Sequence, residues 1–246
     1  MITPRDRKVM LHIGLHGWLS HRQIGLLEFP YDGKKDREYS YHMLQRRLRE
    51  ELLKENYVEC HRLPERDSIG FTPIFKLTRK GARIYKGDTG NKASIPRFSQ
   101  LKVPHRLEVN NILVTLKKAN LIRINGFEIE HKLGSIRADA YIRYKFPFVL
   151  EVDLSGTEGK EFIMNKWQNY EREYLLGNTK TNYIVWYSKR ADTLQNWIDE
   201  VHQSKLIPLF INPPEKNIFK VINYIREQLK LTSKEQLNQH QNILSS

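Results

Sequence analysis

Glu151 and Asp153 stand two residues apart in FVLEVDLSG (148–156), a run otherwise apolar enough to be a buried strand. Side chains on a strand alternate in direction, so the two carboxylates share one face, and Phe148, Leu150, Val152 and Leu154 take the other. A third acid, Asp139, lies in SIRADAYIRY on the preceding extended run. With a hairpin turning around Lys145–Pro147 and Tyr144 opposite Phe148, Asp139 falls across from Asp153 and Tyr141 across from Glu151. All three acids then converge on one face, and a register slip of one residue would undo this. Carboxylates that close repel and raise one another's pKa. Two arrangements relieve the repulsion. A hard divalent ion, Mg²⁺ or Mn²⁺, takes oxygen ligands and activates water for attack on a phosphodiester. Alternatively, the acids form ordinary ion pairs with Arg137, Arg143 or Lys166.

Composition narrows the class. The chain has 246 residues, with 41 Lys and Arg against 28 Asp and Glu, a formal charge of +13. Such an excess draws a protein to polyanions, nucleic acid first among them. It is uneven: 20 of the basic and 12 of the acidic residues fall within residues 1–100. A single cysteine, Cys60, excludes an intrachain disulfide framework and a zinc finger. The first residues lack the apolar core and cleavage site of a signal peptide, and no apolar run is long enough to span a bilayer. These features lead to the expectation of a cytoplasmic protein with no membrane partner.

The elements that must position the acids follow from periodicity. Residues 5–16 read as a helix; Ser20 and Gln23 form a capping-box pattern for a second, and a third runs from about Ser40 to Lys54 with Leu44, Leu48 and Leu52 four apart. Two extended runs (57–63 and 71–77) and a helix capped by Thr78 follow. Three helices and a two-stranded ribbon are the order of a winged helix-turn-helix, whose third helix enters the major groove while the ribbon lies along the backbone. Arg46, Arg47 and Arg49 on the third helix, with Lys76, Arg79 and Lys80 at the ribbon and the following helix, are the candidate contacts to double-stranded DNA. A small helical domain with a solvated basic face fits the same pattern.

Residues 87–101 read as a linker between this domain (1–86) and a second one at 102–231, with a polar tail at 232–246. The second domain alternates: a helix at 104–119, extended runs at 121–131, 136–144 and 147–154, a helix at 159–175, a strand at 182–188, a helix at 190–204, a strand at 206–211 and a helix at 215–230. The expected fold class is α/β (two-domain), the second domain having a mixed sheet. In the helix at 159–175, Trp167, Tyr170 and Tyr174 recur at the spacing of core residues. The turn Ser155–Thr157 either brings backbone N–H groups to a phosphate or caps that helix.

The segment from Glu108 through Asp139 and EVD to KWQNY resembles the PD-(D/E)XK nuclease fold. The resemblance implies that Glu108 is the helix acid, Asp139 the strand acid and Glu151 the second strand acid, together with Asp153 as metal ligands. It departs where a lysine is expected, since that position holds Asp153. Lys166 on the following helix is the candidate for a displaced lysine, and Lys160 a weaker one, which makes Glu151, Asp139 and Lys166 the catalytic group. Over residues 3–190 the order of LTRKGARIY, VPHRLEVNNILVTL, RADAYI and FVLEVDLSGTE…KWQNY is similar to the replication-relaxation family of plasmid-encoded proteins. That similarity implies a DNA-binding protein of plasmid replication and DNA relaxation, either a nickase or endonuclease dependent on Mg²⁺ or Mn²⁺, or a non-catalytic regulator with a degenerate nuclease-like domain. A homodimer is among the assemblies it allows.

Overall fold

The structure is a computed structural model that describes residues 2–28, 42–64, 71–97, 99–100, 102–123, 126–143, 147–153, 158–179, 181–211 and 227. Apart from Glu227, the helix expected at 215–230, together with the polar tail, the hairpin turn at Tyr144–Phe146 and the turn at Ser155–Thr157, lies outside the described residues. The chain divides into two compact units, Met1–Asn120 and Leu121–Ser246. Its class is mixed α/β, with two sheets among the described residues.

The first unit begins with α1 (Pro4–His16), which Thr3 starts with a full capping box. The Thr3 hydroxyl accepts from the Asp6 amide, and the Asp6 carboxylate accepts from the Thr3 amide. Strand β1 (Leu19–Ser20) leads into α2 (His21–Glu28), where Ser20 and Gln23 exchange the two expected hydrogen bonds. Helical residues 42–46 run into α3 (Arg47–Leu53), a π-helical stretch that buries Leu44, Leu48 and Leu52 with Val9, Met10, Ile13 and Ile24 of the first two helices. Strands β2 (Val58–Pro64) and β3 (Phe71–Leu77) pair antiparallel, and the sheet order is β1-β3-β2. Thr78 caps α4 (Arg79–Thr89), as its sequence signal predicts.

Gly81 lies at the first turn of α4 because nothing larger fits. A Cβ there would stand 2.1 Å from the Tyr57 carbonyl oxygen, which already accepts from the Thr78 amide. Gly81→Ala must therefore push the helix off the strand entry. We expect a loss of about 1–3 kcal/mol in the unfolding free energy of the first unit, measured by urea denaturation.

Helix α5 (Lys102–Lys118), which the sequence pattern groups with the second domain, packs on α2 and β1 inside the first unit. Polar side chains tie it down. Gln23 donates to the Leu107 carbonyl and the Asn111 side chain, both at 2.8 Å, and the Asn110 amide donates to the Trp18 carbonyl.

The second unit is a five-stranded sheet in the order β4-β5-β6-β7-β8. The strands β4 (Phe127–Leu133), β5 (Ile136–Ile142) and β6 (Phe148–Asp153) form an antiparallel meander. Helices α6 (Lys160–Leu175) and α7 (Ala191–Asp199) then join β6 to the parallel strands β7 (Tyr183–Ser188) and β8 (Ile207–Ile211). Ile163, Trp167 and Tyr170 of α6 pack on Val149, Ile184 and Trp186, so α6 covers the sheet face that also carries Glu151 and Asp153. Trp167 and Tyr170 are fully buried, core side chains as their spacing on the helix predicts.

Candidate functional site

The register of the β5–β6 hairpin puts Tyr141 opposite Val149 and Ile142 opposite Phe148. This differs by two residues from the expected pairing. An even shift conserves the face, so Asp139 still joins Glu151 and Asp153, but its cross-strand neighbour becomes Glu151. The Asp139 carboxylate accepts from the Val152 amide at 2.8 Å, which holds it against β6. On its other side the facing position in β4 is Glu130, whose φ of 51° interrupts the ladder between the Ile129–Ala140 and His131–Ala138 pairs. A non-glycine residue held there stores roughly 1–3 kcal/mol of backbone strain.

Glu151 is 1% exposed and both its oxygens are engaged. Lys166 Nζ donates to Oε2 at 2.7 Å, and the Tyr170 hydroxyl donates to Oε1. Helical geometry explains the pair, because residues four apart on α6 project from one face toward the same point of β6. Burial raises the Glu151 pKa to about 7; the Lys166 charge works against that rise and Asp139 adds to it. Burial alone would lower the Lys166 pKa, but Glu151, Asp139 and Glu158 reverse this and leave it raised, so the ammonium stays charged at neutral pH. Lys166, on the helix that follows the strand, is thus the cation paired with Glu151. Lys160 is spent elsewhere, on an exposed pair with Glu200.

Asp153 has a different environment. Its Oδ2 accepts from Ser188 Oγ at 2.9 Å and from Arg190 Nε at 2.8 Å. Ser188 is in register with Asp153 on the neighbouring parallel strand, and Arg190 follows at the entrance of α7. Of the cations weighed as partners on sequence, Lys166 pairs with Glu151, whereas Arg137 pairs with Glu130 and Arg143 with Glu128. Glu158, which sequence spacing did not single out, also belongs here. Burial raises its pKa, and it feels the charges of Lys166, Asp153, Asp139 and Arg190.

Among the described residues no group of three or more His, Cys, Asp or Glu side chains is arranged to hold a metal ion. Glu108 lies on α5 in the first unit, where it accepts from the Asn111 side chain at 2.9 Å. The adjacent acids that could take a cation are Asp139 and Glu151. Two carboxylates are what Mg²⁺ ordinarily draws from a protein, but both oxygens of Glu151 already accept from Lys166 and Tyr170, so such an ion would have to displace one of these donors.

The basic residues expected at DNA divide into two sets. Arg46 just before α3, Arg49 on α3 and Arg79 on α4 are exposed. The charge of Arg49 reaches His21 at the start of α2 and Cys60 on β2. Burial lowers the pKa of His21, and Arg49 lowers it further; burial raises that of Cys60, and Arg62 and Arg49 oppose the rise. Lys80 is half exposed, over the Tyr57 ring and bonded to the Glu55 carbonyl. Arg47 and Lys76 point inward. Arg47 holds the Asp6 carboxylate, and Lys76 pairs with Glu59 at 2.8 Å beside the Trp18 ring. The histidines His12 and His16 are buried on α1; His12 contacts Glu28 and Lys117, and His16 bonds to Asn110.

Among the described residues no helix is long and apolar enough to cross a membrane. A family model described as replication-relaxation matches residues 10–184. No curated protein and no solved structure matches the chain.

Proposed function

The chain belongs to the replication-relaxation family, and from that premise we propose that it binds double-stranded plasmid DNA and nicks it at the Asp139–Glu151–Lys166 centre. In this reading α1 to α3 with the β2–β3 ribbon act as a winged helix, with Arg46, Arg49, Arg79 and Lys80 toward the DNA. The second unit acts as a nuclease-like domain of PD-(D/E)XK type. The observation that carries the proposal is the 2.7 Å contact between Lys166 and buried Glu151, beside Asp139. A cation kept charged by its neighbours is there to stabilise the negative charge that develops on a phosphodiester under attack. Tyr170 fixes the carboxylate orientation, and Val152 fixes Asp139. A Mg²⁺ or Mn²⁺ ion held by Asp139 and Glu151 would supply Lewis acidity and an activated water.

The test is incubation of supercoiled plasmid bearing the cognate origin with the protein and Mg²⁺ or Mn²⁺. Open-circle product is expected from the wild type, with Glu151→Ala and Lys166→Ala each reducing its rate by roughly 100-fold or more. Binding without cleavage under either metal would sink the nickase.

One observation favours a second reading. Asp153 is tied to Arg190 and Ser188, and no set of three carboxylates is assembled among the described residues. A non-catalytic replication or regulatory factor, acting as a homodimer through the second unit, would keep the fold and the ion pairs without the reaction. The same plasmid assay separates the two.

A further inference from the structure

Arg190 is built into the second unit and incompletely used. Its Nε donates to Asp153 at 2.8 Å, and its backbone amide donates to Ser188 Oγ at 3.1 Å. Its guanidinium carbon lies 5.2 Å from the Trp197 ring centre. The pair with Asp153 is largely sequestered, the side chains being 20% and 4% exposed. Yet Nη2 is buried without a hydrogen-bond partner among the described residues. A buried donor left unmade is costly, more so when it is charged. The fork geometry of a guanidinium matches two oxygens of a phosphate.

We propose that Arg190 is a phosphodiester-binding residue, positioned by Asp153, which takes a backbone phosphate of the DNA strand beside the Glu151–Lys166 pair. This rests on the proposal that the second unit acts on DNA. It also gives Asp153 a role at the place where a strand lysine is expected: the acid anchors an arginine from the β7–α7 junction, so a second cation enters from a neighbouring strand. Glu158 is the competing anion. Its charge is attracted to Lys166 and to Arg190 and repelled by Asp153 and Asp139, so both cations lie within its electrostatic reach. A bound phosphate must take over part of that attraction.

The experiment is calorimetric titration of the full chain with thymidine 3′,5′-bisphosphate, without divalent metal, for the wild type and the variants Arg190→Gln, Arg190→Lys and Glu158→Gln. Saturable binding is expected for the wild type and about tenfold weaker binding for Arg190→Gln, with Arg190→Lys between them because it keeps the charge and loses the fork. Glu158→Gln is expected to bind severalfold more tightly. Being on a half-buried residue outside the Arg190–Asp153 pair, it tests the proposal even where Arg190→Gln fails to fold. No saturable binding by the wild type, or equal affinity in all four proteins, overturns the assignment. Bisphosphate binding that follows Arg190 in a protein that never nicks plasmid removes the nickase and keeps this site. Nicking with affinity indifferent to Arg190 removes this site alone.

Discussion

Lys166→Met is expected to lower the unfolding free energy of the second unit by about 1 kcal/mol more at pH 8 than at pH 5. Glu151 is enclosed between β6 and α6, and Lys166 is the cation that holds its charged form there. The sign follows from its pKa, about 7 in the fold against an ordinary 4.5. A carboxyl whose folded pKa is raised contributes stability that is complete below the unfolded value and is lost as pH rises through the folded one. In the wild type that loss, about 3 kcal/mol, falls between pH 4.5 and 7 and then stops. Without the ammonium, burial and Asp139 push the folded pKa higher still, so stability keeps falling above pH 7. At pH 5 Glu151 is protonated in either protein, and little distinguishes them. Adding Glu151→Gln to Lys166→Met removes the uncompensated charge and keeps an acceptor for the Tyr170 hydroxyl. It should return most of the loss at pH 8, since replacing both members of a buried pair is close to neutral. Guanidinium denaturation at the two pH values reads this directly. A loss independent of pH, or one that Glu151→Gln leaves unrelieved, would mean that Lys166 acts through packing against Trp186 and not through charge.

The common face of Asp139, Glu151 and Asp153 was legible because strand parity is local and survives a two-residue change of register. Which acid faces which was not, since that depends on a turn whose length the residues do not dictate. The partnership of Asp153 was out of reach for a stronger reason. It depends on the parallel pairing of β6 with β7, which sets Ser188 beside Asp153 and delivers Arg190 from 37 residues away. Hydrophobic patterning assigns both strands to the core and is silent on their relative shift, because all six residues of each are buried. Lys166 and Tyr170, by contrast, sit four apart on a helix whose apolar stripe already faces the sheet, so Lys166 could be set against the acids from sequence, while the Tyr170 hydroxyl as a second partner of Glu151 could not. Glu130 gave no signal at all, since glutamate is not a residue that advertises a left-handed backbone.

The basic stripe of α3 shows the same limit and carries the other large effect. Arg46, Arg47 and Arg49 look equivalent as three cations on one short helix, but Arg47 is committed to the buried Asp6 carboxylate, with Thr3 and Glu51 beside it. The hydrogen bond to Asp6 raises the Arg47 pKa; burial would raise that of Asp6, but Arg47 and Thr3 bring it below the ordinary value. Arg47→Ala is therefore expected to cost the first unit about 3 kcal/mol at pH 7, the penalty for a buried carboxylate deprived of its cation. That cost should shrink as the pH falls through the Asp6 pKa, where the carboxyl is protonated and needs no partner. Arg46 makes an exposed pair with Glu50, and removing it should change stability by no more than about 0.5 kcal/mol. On DNA the order inverts. Arg46→Ala and Arg49→Ala should each reduce the slope of log affinity against log salt by about 1. Arg47→Ala, assayed where it is folded, should keep the wild-type slope. An Arg47→Ala protein of unchanged stability but reduced slope would return that residue to the DNA surface, and unaltered slopes for both Arg46→Ala and Arg49→Ala would take α3 away from the DNA altogether.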